Sequence, residues 1–215
     1  MDARLKDLRL IKTLSHKSQA ALLKSARIQK ARRNDTLVQQ GDMLASVFLL
    51  LNGTLRIYTA NAEGREATLY MMNDGEVCLL SLNAAFSNGR YPAWVSVESD
   101  AAAVALLPAG LVREMFKSEA AVQEMVLESL TGAIRDLFTH LDDVLTCRLS
   151  ERIERFLMRN CDRQGRVNIT HQGLANHLGV AREAVSREIG ALRKRNRLAS
   201  GRGYFQIAPR KAGPA

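Results

Sequence analysis

Between residues 34 and 108 turn signals recur at nearly even intervals: Gly41-Asp42, Asn52-Gly53, Glu63-Gly64 and Asp74-Gly75, with the glycines 12, 11 and 11 residues apart. Between them lie short runs such as VFLLL, TLRIYT and ATLYMM, rich in β-branched and aromatic residues. Short strands at regular spacing, punctuated by glycine turns, describe a compact antiparallel sandwich or barrel. The Asn52-Gly53 pair is the strongest hairpin signal in the chain.

After Pro108 the pattern becomes helical. Leu127, Leu130, Ile134, Leu137, Leu141 and Val144 are spaced 3, 4, 3, 4 and 3, an a/d seam of about two and a half heptads that can form a dimer interface. The competing reading is a helix that packs only on its own domain. From residue 148 a second helical segment, LSERIERFLMRN, leads into a short strand, RVNI. Then come THQGLANHLGV, VAREAVSREIGALRKR and a terminal hairpin, LASGRGYFQI, broken at Gly201 and Gly203. The tail PRKAGPA reads as frayed.

Charge divides along the chain. Residues 148–215 hold 15 Lys and Arg against 5 Asp and Glu, residues 34–147 hold 6 against 15, and residues 1–33 hold 10 against 2. A basic C-terminal third beside an acidic middle suggests two modules with different partners, a polyanion being the obvious one for the basic module. A merely solubilising surface would not need such segregation.

The opening MDARLKDLRLIK is charged every few residues and lacks the apolar core of a secretory leader. The longest apolar run, AAAVALLPAGLV (101–112), is too short to span a bilayer. Cys78, Cys147 and Cys161 are odd in number and far apart, which fits a reducing compartment. A protein of the cytoplasm, without a membrane partner, is expected.

Within the basic third, Leu174-Ala175-x-x-Leu178-Gly179-Val180 precedes Val185 and Ile189. A small Ala175 lets two helices cross closely, Gly179 permits a tight turn, and Leu174, Leu178, Val185 and Ile189 supply a shared core: a helix-turn-helix pattern. The second helix would begin near Arg182 and expose Arg182, Glu183, Ser186 and Arg187 to a major groove. Arginine can grip guanine O6 and N7, and glutamate can accept from cytosine N4. Glutamate facing polyphosphate is repelled unless it meets a donor on a base edge, so Glu183 favours sequence reading over plain charge attraction. Arg193, Lys194, Arg195 and Arg197, with Thr170 and His171 at the start of the first helix, are expected on phosphates. The alternative for Glu183 and Arg187, four apart, is an ion pair on a solvated helix face.

This order of elements resembles the CRP/FNR family of bacterial transcription regulators from about residue 8 to residue 208. Arg182, Glu183 and Arg187 match the R-E-x-x-x-R pattern of the cyclic-AMP receptor, while Glu183, Ser186 and Arg187 match the E-x-x-S-R pattern of the fumarate–nitrate regulator. The resemblance implies an α+β chain. An N-terminal antiparallel β-roll of the cyclic-nucleotide-binding, jelly-roll type would occupy 1–110, a dimerisation helix 111–147 and a winged helix-turn-helix 148–215. It further implies a homodimer on double-stranded DNA, reading a palindrome with a TGA core, and contact with RNA polymerase if the protein activates. One departure lies at Gly173, where a capping-box Glu or Gln would stand behind Thr170.

The resemblance places an effector pocket around Glu76, Cys78, Arg90 and Trp94, with Tyr70, Met72, Leu80, Leu82 and Phe86 completing an apolar lining. Cyclic-nucleotide-binding relatives follow their Gly-Glu turn with a second Glu for the ribose, then Arg-Ser or Arg-Thr for the phosphate. Here Gly75-Glu76 is followed by Val77-Cys78-Leu79-Leu80-Ser81, and Arg90 by Tyr91. The missing partners argue against cyclic AMP. No cysteine precedes Cys78, which excludes an iron–sulfur cluster of the fumarate–nitrate kind. Cys78 is either a sensor thiol, open to oxidation, persulfidation or haem iron, or a small buried hydrophobe. Cys147 and Cys161 read as structural. His16 and His140 are conceivable haem ligands that nothing in the spacing selects.

Other function classes make different demands on the chain. A signalling module acting through a protein partner predicts no preferred DNA sequence, and a ligand-independent DNA-binding regulator needs no pocket at all. For an enzyme the chain offers no paired carboxylates, metal-ligand cluster, nucleophile elbow or phosphate loop.

Overall fold

The computed structural model describes residues 3–87 and 89–207. The tail PRKAGPA and the side chain of His140 lie outside the described residues. By its contacts the chain divides into two compact units, residues 1–59 with 69–136 and residues 60–68 with 137–215.

The first unit opens with α1 (Ala3–Asp7), α2 (Arg9–Thr13) and α3 (His16–Ser25). Strands β1 (Arg27–Arg32), β2 (Thr36–Val38), β3 (Ser46–Asn52), β4 (Leu55–Ala60) and β5 (Glu66–Met72) follow. A 3-10 turn (Leu79–Leu82) and α4 (Asn83–Phe86) lead to β6 (Trp94–Val97) and β7 (Ala101–Pro108). One sheet has the order β1-β7-β3 and the other β2-β6-β4-β5, the sandwich that the glycine spacing predicts.

Strand β3 shows how the sequence builds it. Side chains along a strand point alternately to opposite faces. Val47, Leu49 and Leu51 join a core shared with the helices, while Phe48 and Leu50 join the core between the sheets. Strand β7 divides the same way, with Ala103, Ala105 and Leu107 toward the helices and Ala102 and Val104 toward the sheets. A strand covered on both faces reads as an unbroken apolar run, as VFLLL does.

The Asn52-Gly53 turn is not the hairpin that its dipeptide signals. Strand β3 pairs with β7 and β4 with β6, so the turn is a corner carrying the chain from one sheet to the other. Gly53 has φ +101°, and a Cβ there would stand 2.4 Å from the Ala101 carbonyl oxygen, so glycine alone fits the corner. The true hairpin is the next one: β4 and β5 are neighbours, and Asn61 N–H donates to the Arg65 carbonyl at 2.9 Å.

Beyond Pro108 the chain is helical, but as two helices, α5 (Ala109–Ser118) and α6 (Ala120–Thr146), meeting at Glu119. The Glu119 carboxylate accepts from the Ser15 hydroxyl and the Ser18 hydroxyl, both at 2.5 Å, and from the Ser15 amide at 3.1 Å. These bonds favour the charged form and hold the carboxyl below its ordinary pKa. Val122 and Val126 of α6 are buried in the helix-side core. From Leu127 onward the apolar face is uncovered: Leu127, Leu130, Ile134, Leu137, Leu141 and Val144 are 43–59% exposed.

The second unit contains α7 (Leu149–Asn160), β8 (Arg166–Val167), α8 (His171–Leu178), α9 (Arg182–Lys194), β9 (Leu198–Gly201) and β10 (Tyr204–Ile207). The expected strand RVNI shortens to Arg166–Val167 because Thr170 is already the N-cap of α8. The three strands form an antiparallel sheet, β8-β10-β9, whose β9–β10 arm is the wing. Within the same unit Asn176 Nδ2 donates to Glu66 Oε2 at 3.0 Å, and Thr68 Oγ1 lies 3.1 Å from His177 Nδ1.

Candidate DNA interface

Helices α8 and α9 are held by one apolar cluster. Leu174, Ala175, Val185, Ile189 and Leu192 pack with Ile153 and Leu157 of α7 and with Val167, Leu198 and Phe205 of the sheet. Leu174, Ala175 and Val185 are fully buried, and Leu178 packs at the edge of the cluster. This is the core read from the spacing of the apolar residues.

The start of α8 is well fixed despite the glycine at the capping-box position. Thr170 Oγ1 accepts from the Gly173 amide at 3.0 Å. A Cβ at Gly173 would approach Ile169 Cγ1 to 2.9 Å, so a larger residue there would push on Ile169. At the other end Gly179 takes a left-handed conformation, φ 66° and ψ 33°, and its amide bonds to the Ala175 carbonyl. That is the usual way a helix stops in a tight turn. Arg152 adds a cation at the same end, donating to the Leu178 carbonyl at 2.7 Å.

With Val185, Ile189 and Leu192 turned inward, the opposite face of α9 is open. Arg182, Glu183 and Arg187 are exposed and Ser186 is half-buried. Among the described residues neither Glu183 nor Arg187 forms an ion pair or a hydrogen bond, so the paired-face alternative does not describe this helix. Ser186 has a partner: its Oγ lies 2.9 Å from Nδ1 of His171.

The basic residues after them separate into two groups. Arg193 and Lys194 are exposed and lie about three turns beyond Arg182 and Glu183, hence on the same face. Arg197 donates to Glu154 of α7 at 2.9 Å. Arg195 and Arg197 line a cavity of about 400 Å³ with Arg148, Glu154, Arg155 and Met158. Arg197 therefore meets α7 and Arg195 stands on the rim of the same cavity, a placement the linear cluster Arg193–Arg197 did not foretell. Sequence reading also passed over exposed Arg202, next to Gly203 in the wing turn. On α6 it passed over Phe138 and Leu145, 66% and 80% exposed. Each stands four residues after a seam position, so a wider helical stripe would have found both.

The residues expected around an effector are not gathered into one lining. The Glu76 carboxylate accepts from the Asn73 amide at 2.7 Å, inside its own turn. Arg90 donates to the Gly41 carbonyl at 2.9 Å. Trp94 stacks on Tyr58 with centroids 6.4 Å apart. Tyr70, Met72 and Leu80 join the core between the sheets, Leu82 joins the helix-side core, and Phe86 is exposed against Phe116. Cys78 is buried, its Sγ 3.3 Å from the Tyr91 hydroxyl and 3.5 Å from the Tyr70 hydroxyl. Burial, reinforced by the thiol, pushes both phenols above their ordinary pKa.

Known proteins share this organisation. The cyclic nucleotide-binding domain model matches residues 28–119, and the Crp-like helix-turn-helix domain model matches residues 151–212. The fumarate and nitrate reduction regulatory protein of Yersinia pestis is 23% identical over 190 residues, 84% of this chain and 74% of the relative. The global nitrogen regulator of a Nostoc species is 22% identical over 178 residues, 78% of this chain and 79% of the relative. Among solved structures, a CRP/FNR-family transcriptional regulator from Eubacterium rectale superposes with a TM-score of 0.84 at 24% identity, covering 94% of each chain. Each of these relatives bears a regulator's name, and the Eubacterium rectale protein that of a transcriptional regulator. With both family domains present in the family's order, the chain belongs to the CRP/FNR family of DNA-binding transcription regulators.

Proposed function

We propose that the protein acts as a homodimer that reads a palindromic site, probing base edges with Arg182, Glu183, Ser186 and Arg187. The observation that carries this reading is the open face of α9. Two arginines and a glutamate stand without a side-chain partner among the described residues, on a helix whose other side is locked into a core. Arg193 and Lys194 continue that face and would meet phosphates. Thr170, the N-cap of α8, and Arg195 and Arg197 complete the candidate phosphate set, whereas the His171 ring expected there is turned to Ser186 and Phe205.

The dimer would form along α6. Eight large apolar residues of that helix are exposed, from Leu127 to Leu145, and a stripe of that length calls for a second copy. Two recognition helices so joined would enter successive major grooves roughly 34 Å apart. A signal in the β-roll would shift α6 and so change the population with the correct spacing. The signal would be a change at the Cys78 thiol, a haem-bound gas or another small ligand, and an activator would also touch RNA polymerase. Such a regulator works in the cytoplasm, where its DNA is.

The test is selection of bound duplexes from a randomised library, with sedimentation of the free protein. The expected result is a dimer that enriches an inverted repeat of TGA-containing half-sites. A stable monomer that enriches no sequence overturns the proposal.

A further inference from the structure

Of the four residues proposed to read bases, Ser186 alone has a side-chain partner among the described residues, and that partner comes from the other helix of the motif. His171 Nδ1 stands 2.9 Å from Ser186 Oγ. The imidazole is itself held: it stacks on Phe205, centroids 5.2 Å apart and planes 22° from parallel, and Phe205 is a buried member of the core that fixes α9. The ring belongs to the first residue of α8, and the Thr170 cap fixes the backbone there.

This contact bears on recognition because a free hydroxyl is a poor discriminator. It rotates, donates and accepts, so serine can pair with either kind of base edge. When Nδ1 accepts the Ser186 proton, the oxygen can only accept from a base, and it suits the amino groups of adenine or cytosine. Were Nδ1 instead to carry the proton and donate, the hydroxyl would keep its own O–H and one lone pair and discriminate no better than a free serine. Only the accepting imidazole commits the hydroxyl.

We infer that His171, with Nδ1 accepting the Ser186 proton, is a positioning residue that leaves Ser186 only an acceptor and so sharpens the choice of one base pair in each half-site. The inference rests on Ser186 facing a base, and it gives His171 a role distinct from binding phosphate.

The experiment measures the affinity of His171→Phe, His171→Asn, Ser186→Ala and the His171→Phe/Ser186→Ala double variant for the selected palindrome and for duplexes changed at each position in turn, at several salt concentrations. Phenylalanine keeps the stack on Phe205 and removes the bond, while the asparagine amide can reach where Nδ1 stood. The expected result is that His171→Phe loses roughly 3- to 10-fold of discrimination, the worth of one hydrogen bond, at one base pair per half-site. Discrimination at the other pairs and the salt slope stay unchanged. His171→Asn restores most of the loss, and the double variant is no worse than Ser186→Ala alone. An equal loss of affinity for every duplex with a shallower salt slope makes His171 a phosphate contact and overturns the inference. Equal loss at every base pair makes it merely structural and also overturns it. A wild-type protein without any preferred sequence removes the proposed function itself, a result separable from both.

Discussion

The Sγ of Cys78 lies 3.3 Å from the hydroxyl of Tyr91, with both side chains buried between the sheets of the β-roll. The thiol thus does more than fill space, since it is the hydrogen-bond partner of a buried phenol. Cys78→Val keeps volume and apolarity but leaves the Tyr91 hydroxyl unpaired. We expect a loss of about 1–2 kcal/mol in urea unfolding, with a smaller loss for Cys78→Ser, which retains a partner. A thiol reagent should modify half-buried Cys147 and Cys161 in the native protein well before Cys78. Equal labelling rates would show that the core opens readily enough for Cys78 to meet an oxidant.

Ile134 and Leu137, near the middle of the α6 stripe, are 53% and 56% exposed. Neither buries its side chain in its own chain, so replacing either with Glu should leave the thermal stability of the β-roll nearly unchanged. Sedimentation should then report a monomer, and affinity for the full palindrome should fall toward that for a half-site. A dimer surviving both substitutions would place the interface elsewhere.

Arg187 and Lys194 should fail in different ways. Arg187→Ala removes a bidentate grip on guanine and should relax the choice at one base pair by about 1–3 kcal/mol. Lys194→Ala should weaken binding to all sequences alike and lower the salt slope by about one per protomer. Titrations on matched and single-substituted duplexes separate the two effects.

Glu119 makes the stability of the first unit depend on acid. Its hydrogen bonds from Ser15 and Ser18 lower the folded-state pKa below the unfolded one. The contribution is therefore complete above the unfolded carboxylate range and disappears as pH falls through the folded value. Glu119→Gln should flatten that part of the stability–pH curve, which urea unfolding from pH 7 down to about pH 3 would show. Parallel curves for the two proteins would remove Glu119 as the source.

Much of this architecture was legible because period and turn chemistry are local. The strands, α7 and the start of α9 fall where apolar spacing puts them, and Val185 and Ile189 are buried opposite Arg182 and Arg187 as a helix requires. What could not be read was whatever depends on distant partners. Asn52-Gly53 has hairpin chemistry, but β3 and β4 found other strands, so the turn became a corner. Arg193, Lys194, Arg195 and Arg197 look alike in a row, yet Glu154 on another helix claims Arg197. Gly173 seemed a weakness until Ile169 came to lie beside it. The same holds for the reading face: its residues were visible in the chain, whereas the His171 contact to Ser186 depends on how two helices cross.

Strands β3 and β7 are each gripped on both faces, one by the opposite sheet and one by the helical layer. Such a wall has no slack side. Swelling, shrinkage or displacement at Phe48 or Leu50 must be felt at Leu49 and Leu51 one peptide away, and through them by the helices against which they press. In this fold the partition between interior and exterior layers would itself carry strain from one side to the other, without a separate linkage.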